Sequence, residues 1–153
     1  MRILGIEPGT AIVGFGVIDV DGQKKTIIDA GVIRTPANQE LEMRLETIYT
    51  EINEIIKANK PEVMVIEQLF FGRNVTTAIS VSHARGVMIL AGQQAGLKIE
   101  EFTPPQIKQA LTGTGSADKK QVQEMVKLLL NLKEVPQPDD CADALAAALT
   151  YNA

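Results

Sequence analysis

The stretch MRILGIEPG, residues 1–9, is an apolar run that stops at one carboxylate, Glu7, and is closed by a proline and a glycine. A short apolar run bounded by turn residues is typical of a buried strand. Proline fixes φ and glycine permits positive φ, so the pair marks the end of that strand. Glu7 is therefore predicted to lie at the C-terminal end of a core strand. The stretch VMVIE, residues 63–67, repeats the pattern and places Glu67 at the end of a second buried strand.

The remaining segments predict further strands and helices around these two strands. Residues 12–19 and 26–33 have strand-like patterns joined by an Asp-Gly turn, and residues 97–102 predict a shorter strand. Apolar periodicity and capping residues predict helices over residues 40–60, 76–94, 117–132 and 139–150, and one that begins at residues 103–106. We expect one α/β domain over residues 1–153, with a mixed sheet of about five strands and helices on both faces.

The composition is that of a globular protein, with 45% hydrophobic and 22% charged residues. The sequence has no apolar run of roughly 18 residues and no secretory signal pattern, so we expect a cytoplasmic protein without a membrane partner. Cys141 and His83 are the only cysteine and histidine, so any metal must be held by oxygen. A catalytic Cys141–His83 pair is a weak hypothesis, because a lone cysteine in an alanine-rich helix is usually a small buried apolar residue.

Four acids are candidates for one metal site. Asp140 and Asp143 lie three residues apart in the last predicted helix and so share one face. Ligands of open α/β sheets bind at the carboxyl ends of strands, where Glu7 and Glu67 meet if their strands are neighbours. Clustered carboxylates raise one another's pKa unless cations intervene. Mg²⁺ prefers oxygen ligands, and two such ions about 4 Å apart suit phosphodiester hydrolysis. Taken singly, each acid is more often a cap or a turn residue, and Asp139 is predicted to cap the last helix.

Residues beside these acids suit an anionic ligand. The loop GTGS, residues 113–116, is either a phosphate cradle at the start of a helix or a plain connector. Lys119 and Lys120 follow it in the first helical turn, where the helix macrodipole disfavours cations. The two phenylalanines at residues 70–71 come after Glu67 and either fill the core or stack on an unpaired base.

Six segments carry the pattern of a known family: ILGIEPGT (3–10), IRT (33–35), IEQLF (66–70), ARGV (84–87), GSADKKQV (115–122) and DCADALA (140–146). Together they resemble bacterial Holliday junction resolvases of the RuvC type, which have a ribonuclease H-like fold. The resemblance covers nearly the whole length. It implies a homodimer that binds a four-way DNA junction and nicks two opposed strands by Mg²⁺-assisted hydrolysis, with Mn²⁺ expected to substitute. It also implies a branch-migration motor complex as a partner.

The resemblance also implies roles for individual residues. The positions that match the family's metal-holding catalytic acids, with two Mg²⁺ per site, are Glu7, Glu67, Asp140 and Asp143. The family phenylalanine matching Phe70 stacks near the crossover, and the lysines matching Lys108 and Lys119 contact DNA. Our own additions to the DNA-binding set are Arg73 and Lys120. The net charge of −4 argues mildly against nucleic acid, but without the four predicted site acids the chain would be neutral.

One position departs from the family, which has aspartate where this chain has Glu7. The extra methylene moves the carboxylate by one carbon–carbon bond, and a misplacement near 1 Å can cost about a hundredfold in rate. We therefore expect cleavage to be reduced or lost while junction binding survives.

Three alternatives stay open. The first is a junction-binding protein that does not cleave. The second is a related ribonuclease H-like nuclease of ribosomal RNA precursors, which should lack the motif at residues 115–122. The third comes from the EPGT turn, residues 7–10, which is similar to the phosphate turn of actin-like ATPases and sugar kinases. Those proteins need a second lobe, for which 153 residues leave no room.

Overall fold

The computed structural model describes residues 1–69 and 75–153, so the predictions for Phe70 and Arg73 lie outside the described residues. The strands are β1 (Arg2–Glu7), β2 (Ile12–Asp21), β3 (Lys24–Arg34), β4 (Val63–Glu67) and β5 (Lys98–Phe102). The helices are α1 (Leu41–Asn59), α2 (Val75–Gln94), α3 (Pro104–Thr112), α4 (Lys119–Leu129) and α5 (Asp139–Thr150). Within the described residues, no helix is long and apolar enough to span a membrane.

The five strands form one mixed sheet in the order β3-β2-β1-β4-β5. β1, β2 and β3 pair antiparallel as a meander, and β4 and β5 extend the sheet in parallel with β1. The β1–β4 register pairs Ile3 with Val63 and Ile6 with Ile66. This register confirms the predicted sheet, and it makes the strands that end at Glu7 and Glu67 direct neighbours.

Alternation along the central strands divides the interior into two cores. Leu4, Ile6, Met64 and Ile66 face α1 and α2. Ile3, Val63 and Val65 face the other way, toward α3, α4 and α5. Because successive strand residues point to opposite faces, the residues that follow Ile6 and Ile66 face the α5 side. Both strand-end glutamates therefore point to the same face of the sheet.

Helix α5 lies unusually close to the sheet because glycines line its track. A Cβ on Gly5 would come within 2.0 Å of the Ala144 carbonyl oxygen, and one on Gly14 within 1.9 Å of the Asp140 carbonyl oxygen. Glycine is the residue that allows such an approach between backbones. The alanines of α5 are correspondingly buried. This contact brings the first two turns of α5 against the ends of β1 and β2.

Capping boxes set the starts of α3 and α4, and α4 is shorter at both ends than the sequence predicts. Thr103 caps α3 through a capping box with Gln106, as the sequence predicts. Helix α4 was predicted over residues 117–132 but begins at Lys119, because the Asp118 side chain accepts from the Gln121 N–H in a second capping box. The predicted range also runs past the helix end, which the structure places at Leu129.

Candidate active site

The carboxylates of Glu7 and Glu67 meet where β1 and β4 end. The two strands are hydrogen-bonded in parallel through Ile6 and Ile66, so the next residue of each strand reaches the same edge. Both side chains are half-buried. The two similar stretches, residues 1–9 and 63–67, therefore lie side by side in the sheet.

Helix α5 brings a third carboxylate to this edge. A cavity of about 220 Å³ is lined by Glu7, Glu67, Pro104, Ile107, Lys108, Lys119, Val122, Asp143 and Ala146. Three of the four predicted acids and two of the predicted DNA-contacting lysines thus line one cavity. The volume is enough for several water molecules, which hydrated cations and a phosphate group would replace.

Asp140 does not line this cavity, although it belongs to the same cluster of negative charge. Its carboxylate is near enough to contribute to the raised pKa of Glu7. Its main-chain oxygen forms the close contact with the Gly14 position described above. The structure therefore places Glu7, Glu67 and Asp143 around the cavity and leaves Asp140 at the neighbouring turn of α5.

Burial raises the pKa values of Glu7, Glu67 and Asp143 in the metal-free protein. The pKa of Glu7 is raised far above its usual range, first by burial and then by the charges of Asp143, Asp140 and Glu67. A side-chain hydrogen bond between Glu7 and Asp143 adds to the rise in the pKa of Glu7 and opposes the effect of burial, which raises the pKa of Asp143. Burial and the Asp143 charge raise the pKa of Glu67 to about 7, against the opposing effect of Lys108 and Lys119.

Lys119 lies at the open side of the acid cluster. Its Nζ is 3.2 Å from Asp139 Oδ2 and 3.4 Å from Asp143 Oδ2. The Gln123 side chain also donates to Asp139 at 3.3 Å. Asp139 was predicted to cap α5, but Pro138 occupies the cap position and the Asp139 side chain pairs with Lys119 instead. Lys119 is the first residue of α4 and Asp139 is the first residue of α5, so no local sequence pattern predicts that they pair.

Other predicted features lie away from the cavity. Lys120 lines a separate open cavity with Thr112, Asp118, Gln121, Glu124 and Met125. In the loop at residues 113–116, Thr114 and Ser116 hydrogen-bond each other, and Asp118 already caps the following helix with a carboxylate. This geometry fits a connector better than a phosphate cradle. Cys141 is buried on α5, whereas His83 is exposed on α2 across the sheet, so they form no catalytic pair.

The donor set suits a hard divalent cation, although the ligands are not preassembled. Glu7 Oε2 is buried and makes no hydrogen bond within the described residues, so it has a lone pair available to a cation. The cavity acids are all oxygen donors whose protons a cation would displace. In residues 1–69 and 75–153, no three acidic, histidine or cysteine side chains are arranged closely enough to hold a metal ion as they stand.

We predict that Mg²⁺ stabilises the protein more at high pH than at low pH. An acid whose pKa is higher in the folded protein keeps its proton above about pH 4.5, where the unfolded chain has released it. The free energy of unfolding therefore falls as pH rises from about 4.5 toward the folded pKa. For Glu67 that window ends near pH 7 and for Glu7 it continues above it. Thermal unfolding at about pH 5.5 and pH 8, with and without Mg²⁺, measures the effect. A Mg²⁺ shift of Tm that is equal at both pH values would contradict the prediction.

Known proteins are similar to this chain in sequence and in fold. A family model described as crossover junction endodeoxyribonuclease RuvC matches residues 3–151. The RuvC of Brevibacillus brevis is 53% identical over 151 residues, which cover 99% of this chain and 91% of that protein. The Thermus thermophilus RuvC structure superposes with a TM-score of 0.93 at 36% identity, covering 99% of this chain and 93% of that one. T. thermophilus RuvC in complex with a Holliday junction substrate gives 0.94 at the same identity and coverage.

The fold and the site together define a class, a ribonuclease H-like nuclease domain with acids gathered at its strand ends. Within that class, the chain belongs to the RuvC family of crossover junction endodeoxyribonucleases. It is a Holliday junction resolvase, an endonuclease of DNA recombination and repair. Family membership also implies catalysis that depends on a divalent metal.

Proposed function

We propose that residues 1–153 act as one catalytic domain that hydrolyses DNA at four-way junctions with Mg²⁺, two ions per site, and that Mn²⁺ substitutes. The observation that carries the proposal is the single cavity lined by Glu7, Glu67 and Asp143 together with Lys108 and Lys119. Family membership favours this substrate over ribosomal RNA precursors and over the ATPase alternative.

In the proposed mechanism, each lining residue has a separate task. Glu7, Glu67 and Asp143, with Asp140 from the next turn of α5, hold the metal ions. When bound there, Mg²⁺ would lower the pKa of a water molecule for attack and offset the negative charge of the scissile phosphate. Lys108 and Lys119 bind the phosphate oxygens and orient the strand in the cavity. The ion pair with Asp139 would hold Lys119 beside the acids once a bound metal ion neutralises the charge of Asp143.

DNA binding beyond the cavity is proposed for a wider set. Lys120 lies on the same helix as Lys119 and faces an adjacent open surface, which suits a contact with a neighbouring phosphate. Phe70, by the family pattern around Glu67, and Arg73, as our own addition, belong to the proposed set as well. A branch-migration motor complex is the proposed partner that delivers junctions to the site.

Junction selectivity tests this function apart from catalysis. The chain should bind a labelled four-way junction in Ca²⁺ or EDTA at least about tenfold more tightly than a linear duplex of the same arm sequence. Competition binding at several salt concentrations measures the ratio and separates it from general phosphate affinity. Equal affinity for junction and duplex at every salt concentration would rule out a junction-specific protein.

We also propose that the functional unit is a homodimer built on α2. Apolar side chains stand on one exposed stripe of this helix, where Val75 is 56%, Ile79 51% and Leu90 48% exposed. Their spacing places them on one face together with Gly86, at which an added Cβ would meet nothing within 4 Å. Such a stripe is suited to burial against a second copy, and two sites on one dimer match two opposed nicks.

Substituting Ile79→Glu should convert the dimer to a monomer, because a charge would be buried at the centre of the stripe. Sedimentation velocity across a micromolar concentration range measures the change. Met43→Glu is the matched control, since Met43 is 52% exposed on α1 outside the stripe. A dimer that persists in Ile79→Glu, or one that is lost equally in Met43→Glu, would contradict this interface.

A further inference from the structure

Arg85 of α2 reaches the last residue of β4 from behind the sheet. Its side chain is only 16% exposed. Its Nε donates a hydrogen bond to the main-chain oxygen of Glu67 at 3.3 Å. Its Nη2 lies 2.7 Å from Glu101 Oε1 on β5, a close ion pair that is not a well-aligned hydrogen bond. One guanidinium therefore joins α2, β4 and β5 at the point where the Glu67 carboxylate enters the cavity.

The partners of Arg85 are themselves held in place. The Gln68 side chain donates to Glu101 Oε2 at 3.3 Å, and the Gln68 N–H donates to the Phe102 oxygen at 2.9 Å. Burial alone would raise the pKa of Glu101, but the ion pair with Arg85 and the hydrogen bond from Gln68 outweigh it and lower that pKa. The carboxylate thus stays ionised opposite the guanidinium. The Glu67 main-chain oxygen is thus bonded to Arg85, and the side chain of the next residue, Gln68, is bonded to Glu101.

The location separates this pair from the DNA-facing chemistry. Helices α1 and α2 pack on one face of the sheet, whereas the cavity acids point toward α5 on the other. Neither Arg85 nor Glu101 lines the cavity. In the described residues the guanidinium contacts the backbone of Glu67 and the Glu101 carboxylate.

We propose that Arg85, held by Glu101, is a positioning residue that fixes the Glu67 peptide and thereby sets where the Glu67 carboxylate stands in the cavity. The proposal rests on the proposed role of Glu67 in catalysis. Groups that orient metal ligands from outside typically contribute about 10- to 100-fold to metal affinity or activity. A displacement near 1 Å at a reacting centre costs about a hundredfold in rate. Losing the clamp should therefore lower the chemical step without weakening junction binding.

The test compares Arg85→Met with a neighbouring ion pair whose lysine bonds to Glu100 and Tyr151 and not to Glu67. Lys98 and Glu100 pair at 2.9 Å on the same strand, with the lysine side chain 59% exposed, so Lys98→Met is the matched control. Both variants are made in this chain and in its Glu7→Asp background. Three quantities are measured: the single-turnover cleavage rate with saturating Mg²⁺, the junction Kd in Ca²⁺, and Mn²⁺ binding without DNA by electron paramagnetic resonance.

In Arg85→Met, cleavage should fall about 10- to 100-fold and Mn²⁺ should bind more weakly, while the junction Kd changes by less than about twofold. Arg85→Lys keeps the charge beside Glu101 and should recover part of the loss. Glu101→Gln keeps the shape of the site and should lose about tenfold, which preserves the test if Arg85→Met does not fold. Lys98→Met should match its parent.

Two results would overturn the proposal. One is unchanged cleavage and Mn²⁺ binding in folded Arg85→Met or in Glu101→Gln. The other is a loss of junction affinity as large as the loss of rate, which would make Arg85 a DNA contact. If neither the parent nor the Lys98→Met control cleaves junctions in either background, that result instead counts against the proposed function itself.

Discussion

Replacing Glu7 by aspartate should raise the rate of junction cleavage by about a hundredfold. The physical reason is the length of the side chain at the end of β1. Glu7 is held between its strand and the closely packed α5, and its Oε2 is buried without a hydrogen bond in the described residues. The extra methylene places this carboxylate about one carbon–carbon bond farther from the backbone than an aspartate carboxylate, so the metal position that it would set is displaced.

The measurement is the single-turnover rate on a labelled four-way junction with Mg²⁺, next to the junction Kd in Ca²⁺. Affinity should stay within about twofold, because the change lies in the cavity and leaves the phosphate-binding lysines intact. Glu54→Asp removes the same methylene from an exposed position of α1 and serves as the control. A Glu7→Asp rate within about twofold of the parent would show that the family aspartate and this glutamate are equivalent.

Removing the charge of Asp143 should abolish most cleavage. In the Glu7→Asp background, Asp143→Asn should lose more than about a hundredfold, since even groups outside the ligand shell cost about 10- to 100-fold. Asp143 lines the cavity, shares a hydrogen bond with Glu7 and pairs with Lys119. The amide keeps the shape of the side chain but is a poor ligand for Mg²⁺ and carries no charge for Lys119.

Asp139→Asn is the matched control for that experiment. Asp139 pairs with the same lysine at 3.2 Å but does not line the cavity. It should lose less than about tenfold, the amount expected for a group that only orients Lys119. Equal losses in the two variants would mean that Asp143 acts through Lys119 and not as a metal ligand.

Much of the fold could be predicted because local signals agreed with the global arrangement. Strand β4 and helix α5 begin and end at the predicted residues, since a proline precedes α5 and the charged Glu67 ends β4. The adjacency of β1 and β4 was a condition that the sequence left open, and it depends on which strands pair. Strand pairing is a non-local contact that no single stretch encodes.

The finer site geometry depended on contacts between segments distant in the chain. The close packing of α5 uses Gly5 and Gly14 on two different strands, and only the pair of strands together makes a track. The Lys119–Asp139 pair and the Arg85 contact with Glu67 each join elements that no motif links. Lys120 was predicted from its position next to Lys119, but successive helical residues point about 100° apart, and it faces another surface.

We infer that the acids around this cavity catalyse cleavage of the junction and that junction binding does not require them. It is tested most directly by following binding and cleavage of one labelled four-way junction by three proteins: this chain, Glu7→Asp, and Glu7→Asp with Asp143→Asn. We predict one common junction affinity and cleavage rates that rise about a hundredfold from the first protein to the second and fall at least as far in the third. A Glu7→Asp protein that binds the junction but does not cut it with Mg²⁺ or Mn²⁺, or cuts equally well without Asp143, would contradict the claim.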